Sequence, residues 1–357
     1  MSHALIAALV GLTAALVCAG ALQPIGSLAR RVGVLDQPEE RRVHTTPVPR
    51  LGGLGIFFGF MVALGVSFVL PVTRFQVEIE RILLLALGAV VVVSVMLFDD
   101  IIGIRPLPKL LLQLGAAALV VLPRLRDASH GIVIEQFNAP FVGVIKLPLA
   151  VALGFTLLWI VGMMNSLNWA DGIDGLAGTI TLVAGLVLFA HTYLRPSGDP
   201  QFTISLLAIA LVGAVLGFLP LNWHPARIIM GDCGSMFLGF ALATISIIGG
   251  AKIATALLAL GIPILDMAWL IVYRLINGRT PWTADRGHLH HRLLDAGLTQ
   301  PQVVLCFGGL TALFGVLALA LPSRGDKLAA MLVMGLVLVA LITLLALRQS
   351  ARTKTPR

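Results

Sequence analysis

Charge is scarce in this chain. Lys, Arg, Asp and Glu make up 12% of its 357 residues, against roughly 25% in an ordinary soluble domain. No polar stretch is long enough to fold as a separate aqueous domain. Hydrophobic residues reach 58% and mean hydropathy is +0.98, so water cannot be the only solvent. Cysteine is nearly lacking as well. Cys18, Cys233 and Cys306 are too few and too scattered for a disulfide framework or a zinc site, and two of them lie in or beside apolar runs, as buried thiols do. The first apolar run, 3–23, has no Lys or Arg before it, and Val17 precedes Cys18. Neither a secretory signal nor a lipid-attachment site fits, and the run reads as a retained first span. The net charge of +8 does not indicate nucleic acid, because the cations sit in short loops rather than on one amphipathic face.

What the chain has instead is a succession of apolar runs, each about 20 residues long, the length that crosses a bilayer as a helix. Helices are expected near 3–23, 51–70, 80–98, 108–123, 147–166, 176–194, 202–221, 236–250, 253–275, 302–321 and 327–347. The expectation is one all-α, polytopic membrane domain over residues 1–357, with about eleven transmembrane helices and termini on opposite sides. Loops after the odd-numbered spans hold 16 of the 25 Lys and Arg. By the positive-inside rule that face is cytoplasmic, which puts the N-terminus out and the C-terminus in. In the outer loop of 124–146, Gly131–Ile134 and Phe141–Ile145 flank Asn138 and Pro140, which suggests a short periplasmic hairpin near 131–145.

The chemistry gathers on the cation-rich face. Asp99 and Asp100 end a long apolar run just before Gly103. Two acids at a helix C-terminus meet the negative end of the macrodipole and repel each other, costs that a divalent cation would offset. Acids that merely mark the water boundary would instead have Arg105 and Lys109 as solvated partners. Asn165, Asn168, Asp171 and Asp174 recur every third residue in N-S-L-N-W-A-D-G-I-D-G. Such a series drifts about 60° per step around an ideal helix, so Gly172 and Gly175 should break it. Gly231-Asp232-Cys233-Gly234-Ser235 immediately precedes a span, and glycine N–H groups there suit an anion. Asn222, Trp223, His224 and Arg227 come just before it. His288, His290 and His291 stand between Arg286 and Arg292, where donors to a diphosphate or sugar fit better than metal ligands. Arg41, Arg42, His44 and Arg50 precede Gly52-Gly53 and form another anion-facing group. Asp266, inside the ninth span, is expensive unless functional or paired, and no partner can be named for it. Hard oxygen ligands, phosphate-sized anion sites and no soft ligand point to phosphoryl chemistry with Mg²⁺. The setting suits a water-soluble donor and a lipid acceptor.

These residues resemble the polyprenyl-phosphate N-acetylhexosamine-1-phosphate transferase family across essentially the whole chain. Five motifs appear in that family's order: G-V-L-D-Q-P-E-E-R-R-V-H-T-T-P-V-P-R-L-G-G, F-D-D, N-S-L-N-W-A-D-G-I-D-G-L, G-D-C-G-S and H-L-H-H-R-L. The resemblance implies transfer of a sugar 1-phosphate from a UDP-sugar to undecaprenyl phosphate, giving UMP, at the cytoplasmic face of the bacterial inner membrane. Mg²⁺ is the implied cofactor, with Mn²⁺ as a substitute. P-R-L-G-G and H-L-H-H-R are similar to the branch that transfers GlcNAc 1-phosphate to start a teichoic acid, O-antigen or related glycan. The phospho-MurNAc-pentapeptide branch is the alternative, and a transporter is the rival from another class. By resemblance Asp99, Asp100 and Asp232 are catalytic. Asp232 leads the metal ligands, with Asp100 and Asp174 beside it. Asn168, Asp171, Asp174 and Asn222 surround the nucleotide, and His288, His290, His291 and Arg292 serve the diphosphate and sugar. Arg42, His44 and Arg50 would hold the lipid phosphate, with Arg42 where many relatives have Lys. The bilayer is a partner, nucleic acid is not, and a homodimer is left open.

Overall fold

The computed structural model describes the chain apart from residues 38–46, 128, 140, 195–200, 251–252, 281–286 and 354–357, together with the side chains of 138, 253 and 345–353. Its elements in order are α1 His3–Val32, β1 Leu35–Asp36, β2 Val48–Pro49, α2 Gly52–Val69, α3 Gln76–Ile102, α4 Pro106–Val121, β3 Gln136–Ala139 and β4 Gly143–Lys146. They continue with α5 Leu149–Ala170, α6 Leu176–Tyr193, α7 Phe202–Asn222, α8 Gly231–Ile248, α9 Ile253–Ile276, α10 Leu289–Asp295, α11 Gln300–Ala320 and α12 Arg324–Thr353. Eleven of these helices are long and apolar enough to cross a bilayer, α10 being the exception. The protein is an all-α, multi-pass membrane protein. Leu83, Leu158 and Leu336 are 58%, 69% and 70% exposed, and these outward apolar faces suit lipid, since a helix satisfies the backbone groups of its interior turns internally.

Helix α8 is the axis. Of its membrane-crossing window 89% is buried, against 17% for α12, and α2, α3, α5, α6 and α7 all pack on it. Small residues let them come close. A Cβ on Gly239 would lie 2.5 Å from Met163 O on α5, and one on Gly88 of α3 would lie 2.4 Å from Phe240. Dispersion and close packing, rather than expulsion of water, hold helices together in lipid, so these glycines carry much of the association.

Several expected boundaries move. Helix α1 runs past the apolar stretch to Val32, ending at Gly33 in the left-handed region with Arg30 and Arg31 in its last turn, where cations suit the negative helix end. The G-D-C-G-S segment does not precede a span but forms the first turn of α8. The expected hairpin exists, shifted to β3 and β4 in antiparallel register from Gln136 opposite Lys146 to Ala139 opposite Gly143. The histidine loop contains a short helix, α10, that its sequence did not announce.

One junction positions the functional end. β1 and β2 pair antiparallel, and Pro49 O then accepts from Ile229 N at 2.9 Å. Gly52 N and Gly53 N donate to Ile229 O and Met230 O, both at 2.9 Å. This lacing of the α2 and α8 N-termini brings Arg50 beside Asp232. A Cβ on Gly53 would stand 2.3 Å from Gly234 Cα, and Gly231 has φ of 72° with Arg50 O and Asp100 Oδ2 both 2.7 Å from a Cβ. Gly53→Ala and Gly231→Ala are therefore each expected to cost at least about 1–3 kcal/mol, the usual overpacking range, and to lower the melting temperature in detergent. Gly65→Ala on α2, which has open space within 4 Å, should not lower it.

Candidate active site

The acids of F-D-D, the Asn/Asp series and G-D-C-G-S converge at one end of α3, α5 and α8. Asp232 is the hub. Its Oδ1 accepts from Arg50 Nη2 at 2.8 Å and from Asn168 Nδ2 at 3.2 Å, and its Oδ2 accepts from Lys109 Nζ. Lys109 also reaches Asp99 Oδ2 at 2.8 Å, and Asp99 Oδ1 accepts Ile104 N at 2.6 Å. Asp100 acts on the backbone instead. Its two oxygens accept Asp232 N and Cys233 N, each at 2.9 Å, and Arg50 Nε lies 3.2 Å from Oδ1. A carboxylate on two N–H groups of a helix's first turn satisfies donors that the helix leaves open. Asp100 thus fixes the segment that carries Asp232.

Asn165 and Asn168 lie on α5, which continues to Ala170 and breaks only there. Asn165 Nδ2 donates to Gln113 Oε1 at 2.6 Å, and Asn168 Nδ2 to Ser235 Oγ at 3.0 Å. Asp171 follows the break and is close enough to feel the charges of Asp232, Arg50 and Asp100. Burial first, and the Asp232 carboxylate second, push its carboxyl well above the ordinary range. For Arg50, burial works to lower the pKa, but the Asp232 and Asp100 carboxylates outweigh it and hold the guanidinium above its usual value. Among the described residues, four carboxylates, Asp99, Asp100, Asp171 and Asp232, thus lie around two cations, Arg50 and Lys109.

Two other expected residues are engaged in building the site. Asp174 Oδ2 accepts from His224 Nδ1 at 2.8 Å and from Ala226 N at 3.0 Å. Asn222, 1% exposed, accepts Gly175 N and donates to Ile228 O, both at 3.0 Å. Together they clamp the Asn/Asp turn to the segment that enters α8.

The histidine cluster arrives from α10. Asp266, which had no identifiable partner in sequence, accepts from His288 Nδ1 at 3.0 Å and from Leu289 N at 2.9 Å. His288 meets Trp169 edge-on with centroids 5.4 Å apart, and the Arg274 guanidinium sits 5.1 Å from the Trp169 ring. Burial, then His291 and His288, push the His290 pKa well below normal, which keeps that imidazole neutral. Donor atoms of Asp266, His288 and His290 lie within 4.8 Å of one another. His288 and Leu289 donate to the two Asp266 oxygens, while His290 Nε2 is buried without a hydrogen-bond partner among the described residues and would be 2.4 Å from a Cβ on Gly172, so this imidazole packs directly on the Asn/Asp turn. Arg292 Nε donates to Gly287 O at 2.9 Å, and His291 lies 4.3 Å from His290 by ring centroid. Arg42 and His44 fall outside the described residues.

Lys109 is the residue whose importance sequence reasoning missed. It is 18% exposed and bridges two carboxylates, and so is not a solvated partner. A signal existed: P-L-P-K places a cation in the opening turns of a span, against the helix dipole, ten residues after two acids.

Asp171 gives a pH test. A carboxyl with a raised folded-state pKa costs nothing below its unfolded value of about 4, costs progressively more as pH climbs to the folded value, and costs a constant amount above it. Asp171→Asn removes that cost, so in metal-free buffer the variant is expected to melt above the parent at pH 8. The gap should close as pH falls to about 4, and equal melting temperatures at pH 8 would contradict the assignment.

The family described as glycosyl transferase family 4 matches residues 82–250, the stretch that contributes Asp99, Asp100, Lys109, Asn168, Asp171 and Asp232. A Bacillus subtilis protein named probable undecaprenyl-phosphate N-acetylglucosaminyl 1-phosphate transferase is 33% identical over 83% of this chain and 79% of its own length. The decaprenyl-phosphate N-acetylglucosaminephosphotransferase of Mycobacterium tuberculosis is 36% identical over 84% and 78%. The undecaprenyl-phosphate alpha-N-acetylglucosaminyl 1-phosphate transferase of Escherichia coli is 26% identical over 82% and 78%. With an Asp-centred site assembled from motifs in that order, and relatives aligned over most of its length, this chain belongs to the polyprenyl-phosphate N-acetylhexosamine-1-phosphate transferase family of the glycosyl transferase family 4 type.

Proposed function

We propose that this protein transfers GlcNAc 1-phosphate from UDP-GlcNAc to undecaprenyl phosphate or a similar polyprenyl phosphate, releasing UMP, as the first membrane step of a cell-envelope glycan. The observation that carries the reading is Asp232, held between Arg50 and Lys109 amid three further carboxylates. The names of the relatives support the donor sugar and the acceptor class. Arg30, Arg31, Arg105 and Arg227 border the same end of the helices, which supports placing the site at the cytoplasmic face of the bacterial inner membrane.

The residues fit a divalent cation. Among the described residues, four carboxylates stand against two cations, Arg50 and Lys109. Asp171, whose side chain accepts no hydrogen bond among the described residues, is an oxygen donor beside Asp232 that burial disfavours as an ion. Hard oxygen donors of this kind suit Mg²⁺ or Mn²⁺. Asp232 and Asp171 would hold the ion, and Asp100 would support them through the backbone. Asp174, also expected as a ligand, accepts two hydrogen bonds on Oδ2 and holds the turn that carries Asp171. When bound, the ion neutralises the donor's diphosphate and stabilises the phosphate of the leaving UMP.

The chain's own residues do the rest. Arg50 and Lys109 present cationic donors where phosphates gather, and Asp99 holds Lys109 in place. A phosphate monoester has a second pKa near 6, so much of the acceptor is already dianionic at neutral pH, and Asp99 can take the remaining proton. An oxygen of the lipid phosphate forms a bond to the donor's β-phosphorus as its bond to the bridging oxygen breaks, and UMP leaves with that electron pair. Alignment and charge neutralisation suffice, so no side-chain nucleophile is needed. His288 beside Trp169, His290 beside Gly172, and Arg292 on the same short helix would border the space for sugar and diphosphate.

Two outcomes are expected. Purified protein given undecaprenyl phosphate and a panel of UDP-sugars should form lipid-linked product fastest from UDP-GlcNAc. EDTA should abolish it, and Mg²⁺ or Mn²⁺ should restore it. Preference for UDP-MurNAc-pentapeptide would sink the branch assignment. Lys109→Gln should lower kcat by about 10²-fold or more, the scale of losing one donor to transition-state charge, and a fully active variant would remove Lys109 from the site.

A further inference from the structure

At the opposite ends of the same helices lies a cavity of about 650 Å³ that the transfer reaction does not use. Arg81 near the start of α3, Arg124 beyond α4, Lys146 of β4 and Trp159 on α5 line it, with Phe137 and Leu149 among its apolar walls. Arg81 and Asp99 are 18 residues apart on one helix, about 27 Å at 1.5 Å per residue. That is close to the thickness of the hydrocarbon core, so the cavity opens at the other membrane surface.

Its donors lack acceptors. Arg81 Nε and Trp159 Nε1 are buried and have no hydrogen-bond partner among the described residues. Glu78 feels the Arg81 charge, but its Oε2 accepts Phe75 N at 2.9 Å, its Oε1 is buried without a hydrogen-bond partner among the described residues, and neither oxygen makes an ion pair with Arg81. Arg124 is paired with Glu135, the one acid among the residues that line the cavity, which leaves Arg81 and Lys146 without an ion-pair contact among the described residues. A cation inside a span and near a helix N-terminus is disfavoured by both the low dielectric and the macrodipole. Indole N–H can only donate. Two orphaned donors and a lysine without an ion-pair contact, beside apolar walls at a membrane surface, call for an anionic headgroup attached to a hydrocarbon tail.

We propose that this cavity binds the negatively charged phosphate headgroup of a membrane lipid. Arg81 and Trp159 donate to the phosphate oxygens, Lys146 contributes charge at the mouth, and Phe137 and Leu149 meet the first methylenes of the tail.

The test is native mass spectrometry of the purified full chain with phosphatidylglycerol, phosphatidylcholine or inorganic phosphate. Phosphatidylglycerol should bind in preference to phosphatidylcholine, and Arg81→Gln should weaken it about tenfold or more, the scale of losing one charge-assisted hydrogen bond. Trp159→Phe and Lys146→Gln should weaken it by smaller factors. These two variants decide the matter if Arg81→Gln fails to fold. A photoreactive phosphatidylglycerol should label peptides containing Phe137 or Leu149. Unchanged binding in the variants, or equal retention of phosphatidylcholine, would overturn the proposal. So would inorganic phosphate binding with the same dependence on Arg81 while the lipid does not bind, because the cavity would then be a small-anion site.

Discussion

A single carboxylate organises the functional end of this protein. Asp232 lies in the first turn of the most buried helix, and three sequence-distant segments reach it: Arg50 from the loop before α2, Lys109 from α4 and Asn168 from α5. In the membrane such an arrangement is demanding, since an unpaired charge is costly there. Each partner must therefore arrive with its own support. Arg50 is delivered by the hydrogen bonds that lace Pro49, Gly52 and Gly53 to residues 229–230. Lys109 is shared with Asp99, and the backbone under Asp232 is pinned by Asp100.

The surplus of acids over cations in this cluster connects structure to chemistry. A folded protein gains nothing from crowding Asp171 beside Asp232, where burial and like charge disfavour its ionised form. Sites that bind multivalent ions and charged substrates are where such cost is retained. The supporting clamps are hydrogen bonds to a turn rather than crowded carboxylates. Asn222 and the Asp174–His224 contact hold the Asn/Asp turn against the approach to α8, so that turn is anchored at two points.

Much of this was legible in sequence, for identifiable reasons. Apolar runs of bilayer length find spans reliably, because lipid leaves helices as almost the only way to satisfy the backbone. Ends were less legible. Arg30 and Arg31 interrupt the hydropathy of α1 without interrupting its helix, and Asp232 looked like part of a loop because its glycines suggest one. Asp99, Asp100 and Asp232 stood out as acids at span edges, but their division of labour depends on which oxygens meet which N–H groups, and spacing carries no such information. The Asp266–His288 contact joins a span interior to a loop 22 residues later, a pairing fixed by tertiary structure alone. Lys109 was hidden by its ordinariness, since cations at span edges usually serve orientation.

In the proposed reaction the phosphate moves with the sugar, and the fate of the donor's β-phosphate tests this most directly. UDP-GlcNAc labelled with ³²P at the β-position is incubated with the protein, a divalent cation and undecaprenyl phosphate, and the nucleotide and lipid fractions are separated. The label should appear in the lipid product, with unlabelled UMP formed in equal amount. Label recovered in UDP, with sugar alone on the lipid, would show that the bond to the sugar was broken instead and would contradict the mechanism.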